Sequence, residues 1–416
     1  MKCIVIGGGI IGLSSAYYLE KAGHEVVVID KTDMLDGCSY GNAGYVCPSH
    51  FVPMPTPGIV QMGLRWMLNA KSPFYVQPRL SWPLIDWGLK FMKSANMKQV
   101  DAAAIPLRDI AVLSQNLYEQ DLAKNPAFNF AYEHKGLLEI FQTEANAHHA
   151  YGSVEKAKKL GLDVSLLNFE EMQQLEPQTR INGLGAIFFK CDGHLYPNKL
   201  MLDLKNYLKQ KNVQFFNNQE VIRFETNTGL ISKVITRSGS HEADKIIIAT
   251  GSWSRELAAK LKIKIPLMPG RGYSITLENS PHKLNYPAIL VEGRVALTPM
   301  DGNKIRFGGT MEITSTHSPL RLKRVEGILN SVKAFFPEFD VPLPSADKVW
   351  YGYRPCSADG LPYIGRVKNI RNCIIATGHS MLGLSLGAGT GKLVSEMIDE
   401  QPTSINMEAF SPDRFN

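Results

Sequence analysis

Cysteine is scarce and dispersed. The 416-residue chain has six, Cys3, Cys38, Cys47, Cys191, Cys356 and Cys373, and no two stand at C-x-x-C spacing. That excludes a zinc knuckle or a redox dithiol and leaves no expected metal site. Free thiols in a reducing cytosol are the expectation. No apolar run reaches the ~18 residues that a membrane span needs. The chain enters a strand almost at once, with no basic leader and apolar stretch before it, so no secretory leader is expected. The expected location is cytoplasmic, with peripheral attachment to the inner face of the cell membrane left open. Lysine and arginine form no dense block, so a nucleic-acid partner is not expected. The net charge of +6 is thinly spread and suits anionic small molecules, nucleotide phosphates or anionic lipid. Internal repeats and low-complexity segments are lacking too.

What is present begins at the N-terminus. Cys3 to Ile6 is a short apolar run of the kind buried on both faces of a parallel sheet. Ile10 to Ala22 carries apolar residues at helical spacing, Gly23 suits the helix end, and Glu25 to Ile29 is a second strand. Between strand and helix lies Gly7-Gly8-Gly9-Ile10-Ile11-Gly12, a G-x-G-x-x-G turn, and Asp30 closes the second strand. In this βαβ setting the motif reads as a dinucleotide site. Gly7 permits the tight turn, Gly9 lets backbone approach a pyrophosphate, and Gly12 lets helix and strand pack closely. The amides of Ile10 and Ile11 open the helix toward the phosphates. Asp30 offers a carboxylate to ribose hydroxyls.

Further along, residues 37–60 are rich in Gly, Asn, Ser and Pro and predict a long ordered loop. Residues 61–98 hold Trp66, Trp82 and Trp87, with helical stretches broken by Pro73, Pro78 and Pro83. This segment suits a lid, ordinary core or a membrane-surface patch. Helices are predicted at 107–124, 146–160, 198–211, 320–336 and about 384–399. Strands are predicted at 136–141, 184–190, 213–216, 231–237, 244–250 and 372–377, with an antiparallel meander between 270 and 312. The predicted fold class is α/β: a Rossmann-type nucleotide domain (1–50, 137–260 and 345–416) plus an α+β substrate domain (51–136 and 261–344) with a mixed or antiparallel sheet.

The N-terminal motif does not separate FAD from NAD. Thr250-Gly251-Ser252-Trp253 follows one buried strand, and Gly378-His379-Ser380-Met381-Leu382-Gly383 follows another. A mobile nicotinamide needs no such C-terminal contribution, whereas an extended flavin does. A helix starting near Leu382 would aim its N-terminus at the flavin C2 carbonyl and stabilise charge there on reduction.

Together these residues resemble the D-amino acid oxidase family of flavoproteins over nearly the whole chain. Ser39-Tyr40-Gly41-Asn42-Ala43-Gly44 is similar to the family's flavin-wrapping S-x-x-N-A-G segment. Ala249 to Leu257, Pro269 to Ser274, Arg306 to Glu312, Gly352 to Gly365 and Gly378 to Gly391 resemble its later segments. The resemblance implies FAD, with Lys31 and Val221 completing the cofactor set. It implies oxidative deamination of a D-amino acid by α-hydride transfer to flavin N5, giving a 2-oxo acid and ammonia, with electrons passed to a quinone-type acceptor. A D-proline or D-hydroxyproline dehydrogenase and a glycine- or sarcosine-type oxidase stay open beside it, as does a non-catalytic FAD-binding subunit of a complex.

Within G-x-R-P-x-x-x-D-G, the family's carboxylate-binding arginine maps to Arg354. A planar guanidinium binds a carboxylate bidentately, although pairing with Asp359 is the structural alternative. Met381 stands where some relatives carry a further arginine. Cys356 lies too close to Asp359 for the family's flavin-linking cysteine, so non-covalent FAD is expected. Tyr273 fits either a substrate contact or a buried strand tyrosine, and His379 either a flavin contact or turn structure. His50 fits either a pocket residue tuning amine protonation or a satisfied loop histidine. No catalytic dyad is needed, because the lone pair of a neutral amine drives hydride loss.

Overall fold

Valine and isoleucine fill Glu25–Ile29, and such a strand is stable only where both of its faces are covered. The computed structural model, which describes every residue except Asp36, Leu68 and Asn416, places it inside a six-stranded sheet. The order is Tyr363–Val367, Ile370–Thr377, Lys245–Ile248, Lys2–Ile6, Glu25–Ile29, Gln214–Phe216. All pairings are parallel except that of the edge strand Tyr363–Val367. Alternate residues serve two separate cores. Cys3, Val5, Val26 and Val28 face one layer, while Ile4, Ile6, Val27 and Ile29 face the other.

Helices Ile10–Lys21, Met97–Leu117, Pro197–Gln210 and Gly387–Ile398 build the first of these layers. Glycine sets how closely they approach. A Cβ at Gly391 would lie 2.5 Å from the Ser14 backbone, and one at Gly389 would lie 3.0 Å from the Ile110 carbonyl.

The second sheet has nine strands. Its path runs Trp350–Ser357, Leu267–Leu277, Ile305–Ile313, Val295–Pro299, Ala288–Leu290, Leu137–Phe141, Gly185–Phe189, Val164–Asn168, and Phe74–Val76 pairs with Ile305–Ile313. Two pairings are parallel, Ala288–Leu290 with Leu137–Phe141 and Phe74–Val76 with Ile305–Ile313. The sheet is therefore mixed. One face packs on helix Leu322–Phe335 through Tyr273, Val295, Leu297, Phe307 and Ile328. The opposite face borders the large cavity.

Several expectations need correction. Residues 137–189, expected in the nucleotide domain, instead supply Leu137–Phe141, Val164–Asn168 and Gly185–Phe189 to the nine-stranded sheet. Helix Met97–Leu117, expected in the substrate domain, packs on the C-terminal helix. Such long-range pairings leave no mark in local sequence. Pro83 does not break a helix: it lies in the first turn of Trp82–Ser94, where its missing N–H costs nothing. The segment after Gly378 forms a 3₁₀ turn, Ser380–Leu382, and the helix proper begins at Gly387. The hairpin Val221–Asn227 with Leu230–Thr236 extends a strand signal that was seen only on its second arm.

Candidate active site

A cavity of about 1140 Å³ lies between the two sheets. At one end the N-terminal turn forms its wall. Gly7 has φ +112°, and a Cβ there would meet the Ala249 carbonyl oxygen at 2.4 Å. A Cβ at Gly12 would sit 1.8 Å from the Gly7 oxygen. Both glycines are forced by the fold itself. Gly9 differs: a Cβ there would meet only Ser39 Oγ, at 3.7 Å, so its missing side chain leaves room on the cavity side.

Ser39 Oγ accepts the Ile10 amide at 3.0 Å and ties the wrapping segment to the helix start. Asp30 accepts the Gly8 amide at 2.7 Å through one oxygen and Thr32 N–H and O–H through the other. The oxygen that accepts only the Gly8 amide keeps acceptor capacity for a ribose hydroxyl. Lys31 Nζ stands 3.5 Å from the centroid of the Trp253 ring. Asn42 closes an Asx turn by accepting the Gly44 amide, and its amide nitrogen lies 3.4 Å from the Met381 carbonyl. Ala43 gives its carbonyl to Thr298. Buried Arg306 donates to the carbonyls of Tyr40 and Asn42, holding this loop in place.

At the other end lies Arg354. Its guanidinium donates to the Thr310 carbonyl at 2.6 Å. It rests on Gly272, where a Cβ would come within 2.3 Å of its Cζ. Among the described residues no acid lies within salt-bridge distance of it. The pairing with Asp359 does not occur, because Asp359 is held bidentately by Arg414 at 2.7 and 2.9 Å. Burial pulls the Arg354 pKa below its ordinary value. A half-buried cation that faces a cavity without an acidic partner suits an anionic ligand.

Tyr273 borders the cavity, but its hydroxyl donates to Glu312 at 2.7 Å and accepts the Arg321 amide. Glu312 is also clasped by Arg271 and Arg324. The hydroxyl is thus committed to a buried network, and of the two readings the buried strand tyrosine describes its geometry. His50 lines the cavity with its Nδ1 3.1 Å from Ser49 Oγ, which donates to Asp192 at 2.5 Å. Burial lowers the His50 pKa to about 4, so it is neutral. Burial lifts Asp192 to about 6 and Glu139, which also lines the cavity, to about 7. His379 joins Nε2 to Thr390 Oγ1 at 3.0 Å while its buried Nδ1 has no partner among the described residues. Burial pulls it down to about 3.

The cavity thus brings together Gly7, Gly9, Ile10, Ile11, Asp30, Lys31, Ser39, Asn42, Ala43, Val221, Thr250, Gly251, Trp253, His379, Met381, Leu382 and Gly383 with Arg354, Tyr273 and His50. Gly12, Gly44 and Gly378 do not border it. Gly44 and Gly378 have positive φ, and a Cβ on either would strike Leu195 or Tyr363. Thr310 and Gly272 escaped sequence reasoning; the one available signal was the pair of glycines flanking Arg271. The cleft fits FAD. Gly9 leaves open space at a helix N-terminus, and the orphaned His379 Nδ1 awaits a polar partner beside the C-terminal turn.

Residues 2–397 match the family model described as FAD dependent oxidoreductase. The chain is 32% identical over 413 residues to a D-amino acid dehydrogenase of Helicobacter pylori, covering 98% of this chain and 97% of that protein. In structure it resembles glycine oxidase from Geobacillus kaustophilus, with TM-score 0.78 and 22% identity over 100% of this chain and 98% of that one. It also resembles L-proline dehydrogenase from P. horikoshii, with TM-score 0.74 and 20% identity over 100% and 97%. The chain belongs to the DAO family of FAD-dependent oxidoreductases.

Proposed function

We propose that this enzyme oxidises the α-carbon of a D-amino acid to an imino acid, which water hydrolyses to a 2-oxo acid and ammonia. The observation that carries the reading is Arg354, a half-buried guanidinium facing the cavity with no acidic partner among the described residues. Its fork suits a substrate carboxylate, and the Thr310 carbonyl and the Gly272 shelf fix its plane. The helix start at Gly9 to Ile11 would hold the FAD pyrophosphate, Asp30 the ribose, and the 379–383 turn the ring system, without a covalent link. When bound, FAD supplies the two-electron acceptor for the α-hydride.

The protein's own part is to position the carboxylate and keep the amine neutral. The Ser49 hydroxyl donates its hydrogen bond to Asp192, which leaves Ser49 Oγ to accept from His50 Nδ1–H. His50 Nε2 then presents a lone pair to an amine N–H. The intact Arg354 arrangement favours an enzyme over a non-catalytic FAD-binding subunit.

A quinone-type acceptor and peripheral membrane attachment fit helix Trp82–Ser94. Its inner face buries Trp87 and Phe91, while Trp82, Ile85, Leu89 and Met92 are exposed at helical spacing on the outer face. No helix among the described residues is long and apolar enough to cross a membrane. Anaerobic mixing of the yellow enzyme with D- and L-amino acids, D-proline and glycine tests the reading. Bleaching by D-amino acids supports it; a flavin that stays oxidised with all of them overturns it.

A further inference from the structure

The cavity holds a second guanidinium. Arg294 lines it, has φ +49°, and stacks its charged end 5.0 Å from the centroid of the Trp66 ring. It makes no ion pair and no hydrogen bond with any described residue. Strand register places it relative to Arg354. Val295 pairs with Gly309, and Gly309 pairs with Tyr273. Arg294 therefore stands level with Gly272, two strand spacings or roughly 10 Å away across the sheet. Gly272 is where the Arg354 guanidinium rests. Val295 and Leu297 point into the core beneath the sheet, so Ala296 points to the cavity face, which Arg294 also lines. Arg294 is exposed to solvent as well as to the cavity.

From this geometry we infer that the substrate carries a second anionic group on its side chain, held by Arg294 while Arg354 holds the α-carboxylate. Two guanidiniums facing one cavity repel each other, and a ligand carrying two negative charges offsets that repulsion. Trp66 orients the Arg294 fork by stacking, so less freedom is lost when it binds a carboxylate. The substrate class is a short acidic amino acid. The inference rests on the function proposed above.

The test is anaerobic flavin reduction of the FAD-loaded enzyme by isosteric pairs: glutamate against glutamine and aspartate against asparagine, in the enantiomer that bleaches the flavin. The wild type is expected to favour the acid over its amide by at least about tenfold in second-order rate. In Arg294→Met and Arg294→Gln that ratio falls toward one, and in Arg294→Lys much of it survives. Because each ratio is taken within one variant, a general loss of activity cancels. Equal reduction by acid and amide in the wild type overturns the inference, and so does an acid preference that persists in both neutral variants. In either case the D-amino acid reading stands. No bleaching by any amino acid overturns both.

Discussion

The Arg354 guanidinium donates to the carbonyl of Thr310, a non-glycine residue held at φ +68° in the middle of a strand. Register explains the strain. Between the pairs Arg271–Glu312 and Tyr273–Gly309 the Ile305–Ile313 strand carries one extra residue, a β-bulge that turns the carbonyl off the ladder. Strained backbone of this kind persists where surrounding structure over-determines it. Here it aims an acceptor at the cation that would bind substrate.

Gly272→Ala tests that arrangement. The added methyl would stand 2.3 Å from Arg354 Cζ and must push the guanidinium off its shelf. A shift of this size should cut kcat/KM for amino-acid oxidation by about 10²-fold, with the flavin still bound. Unchanged kinetics would show that the shelf is irrelevant.

Glycines in the N-terminal turn should respond differently to the same change. At Gly9 a methyl meets nothing closer than 3.7 Å and the backbone is extended, so Gly9→Ala should fold. Its FAD affinity should drop by at least about tenfold, because the methyl fills the space where the pyrophosphate approaches. Gly12→Ala puts the methyl 1.8 Å from the Gly7 oxygen and should fail to fold. Fluorescence titration of apoprotein with FAD, alongside thermal melts, separates the two outcomes.

Much of this was legible beforehand. The βαβ unit, the buried strand before Thr250 and the last strand announced themselves by unbroken apolar runs, which local chemistry alone dictates. Arg354 was legible through its motif, but its lack of an acidic partner was not, since that depends on Arg414 capturing Asp359 from 55 residues away. Tyr273 was ambiguous for a similar reason: Glu312, which claims its hydroxyl, lies on the neighbouring strand. The sheet membership of Leu137–Phe141 depends on Ala288–Leu290, far along the chain. The Thr310 bulge arises from a register between two strands and has no signature in either.

The pH dependence of stability should carry a mark from Asp192. Its folded pKa, raised by burial to about 6, lies above the ordinary 3.8. The folded state therefore binds more protons between these values, and the group's stabilising contribution, complete below pH about 4, is lost as pH rises through 6. Asp192→Asn removes that loss, worth roughly 2–3 kcal/mol, and relieves Glu139, whose raised pKa owes part of its shift to Asp192. Melting temperatures of variant and wild-type apoprotein should diverge in the variant's favour from pH 4 to 7. A difference that is flat with pH would contradict the assignment.

The outer face of helix Trp82–Ser94 should confer lipid binding. Replacing Trp82, Leu89 and Met92 with serine removes side chains that are already 50% or more exposed, so stability should barely change. Flotation with anionic vesicles should fall several-fold while dye-linked activity in solution persists. Equal flotation of both proteins would remove the surface from consideration.

The most direct check compares D-alanine with D-alaninamide, which lacks only the carboxylate charge, as reductants of the flavin in wild type and Arg354→Met. In the wild type the acid should be faster by about 10²-fold or more, the worth of a bidentate charge-assisted pair at roughly 1.5–3 kcal/mol per bond. In Arg354→Met the two should converge. Equal rates in the wild type, or an undiminished gap in the variant, would mean that Arg354 does not anchor the substrate.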